Sequence, residues 1–386
     1  MKVGGKRMET TLKRERNIGA DVIRCLAFFT VVSVHFFLNS GYYYVPVVGE
    51  KMLVLTVMRS FFIICVPLFM MLSGYLMRKK ALSKKYYGKF GKTYLTYVLA
   101  SVFCIAYAVL FRDKEFSLID SIFSIFNFSG APYSWYVEMY LGLFLIIPFL
   151  NLLFNNIPSK KWKLALLIIF TTLTALPAVI NVYNLTSGFE WWLHPTLSGE
   201  YHKIIPSYWV ELYPLTYYFI GCYIGEFGIK IKSWVNFLLI VATTLLAGGY
   251  CYWRSYGANF IWGDWCIYYS AFNVVLTTLV FVFFINLDYS KTPKWIAWIF
   301  KKASPLCFAG YLLSWIFDDI FYPILNTKVP DVTNRLFGFI IIVPTVYVCS
   351  LLLSFVLGKL QEGIEKLCGL LFSKKNKAAE ATPEAQ

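Results

Sequence analysis

Three ionisable side chains interrupt the apolar stretch Asp21–His35, DVIRCLAFFTVVSVH, and their spacing suggests chemistry. At about 100° per residue, Arg24 and His35 stand about 20° apart around a helix axis. At about 1.5 Å per residue they are roughly 16 Å apart along it. One helix face then carries a fixed cation near one end and an imidazole about half a bilayer away, with Asp21 near the same face. A neutral imidazole accepts a proton from a hydroxyl, which makes His the usual general base near neutral pH. A guanidinium holds a phosphate or steadies an oxyanion. Ionisable groups inside an apolar helix are costly and face the bundle interior or a water-filled cavity. The plainer alternative has Arg24 snorkelling to the headgroups and His35 packing as an ordinary buried residue.

The rest of the chain shows why such a helix is expected to lie in a membrane. Of 386 residues, 58% are hydrophobic and only 15% charged. Soluble domains average about 25% charged. Repeated apolar runs near 20 residues predict an all-α, polytopic membrane protein. We place ten spans at about 19–38, 52–77, 93–111, 135–154, 163–182, 207–226, 234–252, 267–286, 304–324 and 337–358. The net charge of +15 is distributed by loop rather than gathered for nucleic acid. Loops after even spans hold RKKALSKKYYGKFGK, Lys160, Lys161 and Lys163, Lys230 with Lys232, and KTPKWIAWIFKK. Loops after odd spans hold only Lys51, Arg112, Lys114, Lys203, Arg254, Lys328 and Arg335. The asymmetry predicts both termini in the cytoplasm, which requires an even number of spans.

The expected organisation is a basic cytoplasmic N-terminus over 1–18, a transmembrane domain over 19–358, and a polar tail over 359–386 expected to be disordered. The start MKVGGKRMETTLKRER is longer than a signal-peptide n-region, and no A-x-A-like site follows, so the first apolar run is expected to be retained. Nine cysteines form no CxxC and no Cys/His cluster, so no metal site is expected. Cys251 and Cys266 flank one loop and are the one pair considered for a bridge. His194 and His202 are expected to be surface residues. Two outer loops, RDKEFSLIDSIFSIFNFSGAPYSWY and NLTSGFEWWLHPTLSGEYHKIIPSYW, are rich in Trp and Tyr. They fit either an interfacial aromatic belt or a carbohydrate-binding rim.

The predicted topology sets depths. His35 stands about 24 Å above the inner face, and Arg59 about 10 Å below the outer one. Glu138 begins the fourth span, and Asp318 and Asp319 are well up the ninth. Arg24 is lower, at the level of Ser73 and Tyr75. Below it come Arg78, Lys79, Lys80, Lys84, Lys85, Lys89 and Lys92. Such a cluster fits an anionic phosphate ligand from the cytoplasm, or simply topology and anionic lipid.

At these residues the sequence resembles the acyltransferase type 3 family of bacterial membrane O-acyltransferases. The matching pieces, in order, are R-x10-H at Arg24 and His35, VPLFMMLSGYLMRKK over Val66–Lys80, SWYVEMYLGLFLIIP over Ser134–Pro148, and YYFIGCYIGE over Tyr217–Glu226. The resemblance covers about 18–358 and implies transfer of an acyl group, usually acetyl, from acetyl-CoA or another acyl-CoA. The acceptor implied is a hydroxyl of a cell-surface glycan or lipid-linked saccharide at the bacterial cytoplasmic membrane. It also implies that Arg24 and His35 are essential. Two positions depart from the family pattern. Cys25 stands where a Gly is common, and Ser314 where many relatives carry a His. An esterase-like domain of the kind some relatives append is not expected, which favours a one-component or separate-partner route.

A sugar hydroxyl needs a general base, for which His35 is the candidate. Arg59 or a backbone donor would serve the oxyanion, or Arg59 would pair with Glu138. Arg24 would hold a CoA phosphate or the thioester carbonyl, with Arg78, Lys79, Lys89 and Lys92 also binding the donor. The competing expectation is a transporter or flippase, since intramembrane charges also make ion paths. Transporters often show inverted repeats and matched broken spans, and no such symmetry is visible here.

Overall fold

A computed structural model of the chain describes residues 16–115, 117–196 and 199–380, with side chains to 367. Most of the expected N-terminal segment 1–18 and the last residues of the tail, 381–386, lie outside the described residues. The helices are α1 (Ile18–Asn39), α2 (Gly49–Phe62), α3 (Cys65–Met77), α4 (Lys84–Phe111), α5 (Leu118–Phe126), α6 (Trp135–Asn156), α7 (Lys160–Thr174), α8 (Pro177–Ile180), α9 (Gly188–Leu193), α10 (Tyr213–Phe227), α11 (Ser233–Ser255), α12 (Ala271–Asn286), α13 (Lys294–Ala303), α14 (Cys307–Lys328) and α15 (Phe339–Glu380). Among the described residues there is no strand, only two isolated bridges from Pro46 and Val47.

Helix α1 sits at the centre. It starts where the Asn17 side chain accepts from Ala20 N–H, with Asp21 in the first turn to complement the helix dipole. It ends at Ser40, followed by Gly41 at φ +79°, the left-handed position that favours glycine. Between these ends it packs against α2, α3, α12, α13, α14 and α15. Its residues are mostly buried, so its polar groups face protein rather than lipid.

Among the described residues, eight segments are long and apolar enough to cross a membrane. Two of the ten expected spans, 163–182 and 207–226, are not continuous helices of that length. The first is α7 followed by α8, separated where Pro177 starts a new turn. The second is a short 3-10 turn, Val210–Leu212, leading into α10 with Pro near its start. Each main helix has 15 residues, or about 22 Å, short of the roughly 30 Å hydrocarbon core. Hydropathy windows see composition and miss such proline breaks. Beyond 358 the last helix runs on to Glu380.

Prolines also interrupt helix hydrogen bonding inside the bundle, and at Pro67, Pro148 and Pro323 a polar side chain covers the carbonyl that is freed. A proline removes the i−4 hydrogen bond and pushes that carbonyl aside. Pro67 splits the expected second span into α2 and α3, and the freed Ile63 carbonyl accepts from Asn273 Nδ2 at 3.3 Å. Pro148 in α6 frees the Phe144 carbonyl, which Tyr86 OH covers at 2.6 Å. Pro323 in α14 frees the Asp319 carbonyl, which accepts from Arg112 Nη2. With no water in a bilayer core, such donors make broken helices tolerable.

Helices α3 and α10 cross at glycines. A Cβ on Gly74 would overlap the Tyr218 carbonyl, and one on Gly221 the Met71 carbonyl. Small residues let membrane helices approach this closely. Gly74→Ala should therefore destabilise the bundle by at least the roughly 1–3 kcal/mol typical of overpacking. Size-exclusion profiles of detergent-solubilised protein would check it. A monodisperse, normally abundant Gly74→Ala protein would show that the crossing is looser than described.

The bundle has two chemically different ends. At one, Asn17 meets Tyr75, Arg16 meets the Lys301 carbonyl, Lys163 pairs with Glu226 at 2.8 Å, and Lys92 pairs with Glu365 at 3.1 Å. At the other, Arg335 caps carbonyls of Ser40, Asn326 and Val329, and Val47 meets Ala258. There Arg254 is wholly buried among Trp191, Trp253 and Trp265. We call these the basic end and the aromatic end.

Candidate active site

Toward the aromatic end, three elements converge on His35. Helix α1 brings the imidazole, α14 brings Asp318, and the turn before α6 brings Tyr133. His35 Nδ1 lies 3.2 Å from Asp318 Oδ2, slightly off line for a hydrogen bond. Tyr133 OH donates to the same Asp318 oxygen at 2.9 Å, and its ring lies over the imidazole with centroids 3.8 Å apart. Asn39, one turn after His35, donates to Tyr133 OH at 3.2 Å and to the His35 carbonyl at 2.9 Å. Tyr133 is thus oriented from both sides. Asp318 is 2% exposed, and its Oδ1 has no hydrogen-bond partner among the described residues.

This arrangement selects one nitrogen. A carboxylate beside Nδ1 favours the proton there and leaves the Nε2 lone pair available. Among the described residues Nε2 has no hydrogen-bond partner, and His35 lines a cavity of about 300 Å³. That volume is at the small end of ligand sites. Its walls include Tyr43, Trp135, Trp262 and Tyr268, aromatic faces on which a sugar ring can stack. His35 can therefore take a proton from a hydroxyl held in this cavity.

A second cavity, about 270 Å³, lies toward the basic end and contains Arg24. Arg24 Nη1 donates to Ser304 Oγ at 2.7 Å and stands 3.8 Å from Asp21. Arg16 takes the Asp21 carboxylate with two bonds, at 2.6 and 2.9 Å, so Asp21 leaves Arg24 largely unneutralised. Among the described residues the remaining guanidinium donors have no hydrogen-bond partner and can take an anion. Ser73, Thr93 and Tyr140 add polar groups, and Phe69, Leu72 and Phe308 supply an apolar floor.

The structure distributes the other expected site residues unevenly. Arg59 is fully buried, but behind the His35 cavity rather than in it. Its Nε donates to Tyr43 OH at 3.0 Å, its Nη1 donates to the Cys266 carbonyl at 2.7 Å, and Trp262 lies over it at 4.9 Å. Arg59 therefore holds two walls of the cavity, Tyr43 and Trp262, without entering it. Glu138 is exposed on α6 and does not meet Arg59. Arg78 donates to the Tyr75 carbonyl and packs on Gly225, at the α3–α10 junction. Lys79 is exposed. Lys89 and Lys92 are exposed on α4; neither lines the Arg24 cavity, whose α4 residue is Thr93, and Lys92 pairs with Glu365 of α15. Cys251 and Cys266 are free thiols against the Arg59 cluster. His202 Nδ1 accepts from Leu185 N–H at 3.1 Å in its loop.

Sequence reasoning placed Asp318 at the right depth without assigning it to His35, and it missed Tyr133 and Asn39. Asn39 was findable, because an i+4 residue shares the face of His35. Tyr133 carried no signal, since it precedes its helix. Ser314, where a second histidine is common in the resembled family, donates to the Tyr311 carbonyl at 2.8 Å inside α14.

The fold and the paired cavities define a multi-pass membrane protein with a buried imidazole–carboxylate pair and a cation in line along one helix. Residues 17–357 match a family model described as an acyltransferase domain, and the chain belongs to that acyltransferase family. No curated protein and no solved structure matches the chain.

Proposed function

We propose that this membrane acyltransferase is an O-acyltransferase, moving an acetyl group from cytoplasmic acetyl-CoA to a hydroxyl of a cell-surface glycan or its lipid-linked precursor. The basic end would face the cytoplasm with both termini, and α7–α8 and α10 would complete ten crossings of a bacterial cytoplasmic membrane. Loop charge supports this orientation. The observation that carries the reading is the alignment on α1 of Arg24 in one cavity and His35, backed by Asp318, in the next. Arg24 would hold a phosphate of the donor, with Lys89 and Lys92 adding positive charge at the basic end. His35 Nε2 would take the hydroxyl proton as the oxygen attacks the thioester carbonyl. The acyl–sulfur bond breaks, the acyl–oxygen ester forms, and the proton passes from His35 to the departing thiolate. Asp318 would steady the transient imidazolium. Membership in an acyltransferase family does not favour the competing transporter or flippase reading.

Glycan NMR of a strain lacking the protein tests the reading. O-acyl ester resonances should disappear and return on complementation; an unchanged ester pattern across the envelope glycans rejects it. The donor site has its own check. Arg24→Ala should weaken acetyl-CoA binding by about 10- to 100-fold, the scale of a lost charge-assisted hydrogen bond. Arg24→Lys should fall between, since it keeps charge but loses the fork. Unchanged affinity in Arg24→Ala, measured by calorimetry in nanodiscs, would remove Arg24 from the donor site.

A further inference from the structure

The two cavities are consecutive segments of one track. Helix α1 supplies Arg24 to the first and His35 to the second, and α3 supplies Ser73 and then Val66. The entry to α6 supplies Tyr136 and then Tyr133. Tyr311 of α14 lines both. Its hydroxyl donates to the Tyr133 carbonyl, its ring meets the Tyr136 ring edge-on at 5.9 Å, and it is 4% exposed. Tyr311 is therefore the partition between the cation and the imidazole.

We infer that Tyr311 is a gate that must swing aside for a thioester anchored at Arg24 to reach His35. This rests on the proposed function above. From phosphate to sulfur, a pantetheine arm has about as many backbone bonds as four extended residues, or roughly 14 Å. The axial distance from Arg24 to His35 is roughly 16 Å. A straight arm therefore covers most of that distance and the two side chains the remainder, along the line that Tyr311 now blocks. One hydroxyl–carbonyl hydrogen bond and ring contacts hold the side chain, so a rotation about its own bonds would open the track. Closed, the gate keeps the thioester away from water in the acceptor cavity. It also ties donor access to the acceptor side. The Tyr133 that anchors Tyr311 by its carbonyl is the Tyr133 whose hydroxyl meets Asp318.

The gate predicts a leak. In hydrolysis, water replaces the acceptor: the acyl–sulfur bond breaks, a carboxylate and a thiol are released, and His35 relays the proton. With the full-length protein in vesicles, Tyr311→Phe keeps the ring and loses the latch. It should raise the ratio of acceptor-independent acetyl-CoA hydrolysis to acyl transfer by about three- to tenfold, the scale of one lost hydrogen bond. Tyr311→Ala should raise it further, and adding His35→Gln should abolish the excess. A purely structural role would lower hydrolysis and transfer together and leave their ratio fixed. That result in Tyr311→Phe, at unchanged acetyl-CoA affinity, overturns the gate. If the wild-type protein neither transfers nor hydrolyses the acyl group of acetyl-CoA, the proposed donor fails instead.

Discussion

Replacing His35 by Gln is expected to reduce acyl transfer by about 10²-fold or more, the usual scale for loss of a general base. Gln keeps comparable size and a hydrogen-bonding tip, so α1 should keep its packing against α3 and α14. It cannot accept and release a proton in the working range. The amount of folded protein in the membrane should match wild type, and acetyl-CoA affinity should barely change, because Arg24 stands in the other cavity. The measurement is acetyl transfer from labelled acetyl-CoA at matched expression, with affinity determined on the same preparation. Near-normal transfer by His35→Gln would return His35 to the role of a buried packing residue. Loss of both activity and folded protein would show only that position 35 supports the bundle, and His35→Asn would then repeat the test with a shorter side chain.

The second large effect is expected at Asp318. Asp318→Asn preserves shape but removes the charge that sets the His35 tautomer. Loss of the corresponding carboxylate in serine-protease triads costs about 10⁴ in kcat. The His35–Asp318 contact is slightly off line here, so a reduction between about 10² and 10⁴ is expected. The loss should fall on kcat rather than on the KM for the donor, because Asp318 touches neither cavity's anion-binding groups. Thermal stability in detergent should be retained or should rise, since a buried carboxylate with one oxygen unpartnered is costly to keep. A normal kcat in Asp318→Asn would reduce Asp318 to a structural partner of Tyr133.

Much of this was legible from the residues because helix periodicity is a local property. Arg24, His35 and Asn39 share a face of α1 whatever surrounds it. Loop charge likewise separated the two ends of the bundle, and the Lys163, Lys92 and Arg16 contacts are all at the basic one. The family resemblance covered the region that the acyltransferase model matches. Continuity of the spans was less legible. Pro67 and Pro177 sit within apolar runs, and hydropathy does not register the hydrogen bonds they remove.

Depth, read from topology, grouped Arg59, Glu138 and Asp318 with His35 as equals. Only the tertiary structure decided among them. Arg59 is turned into the Tyr43–Trp262 cluster, Glu138 faces outward, and Asp318 alone reaches the imidazole. The physical reason is that depth fixes one coordinate of a side chain. The other, its direction around the helix axis, becomes a contact only once helices are rotated and tilted against one another. The sequence by itself therefore determined that a base and a cation lie in line along one membrane helix. Packing decided which carboxylate serves the base, and it placed Tyr311 between the two, since both depend on how α14 and the entry to α6 close against α1.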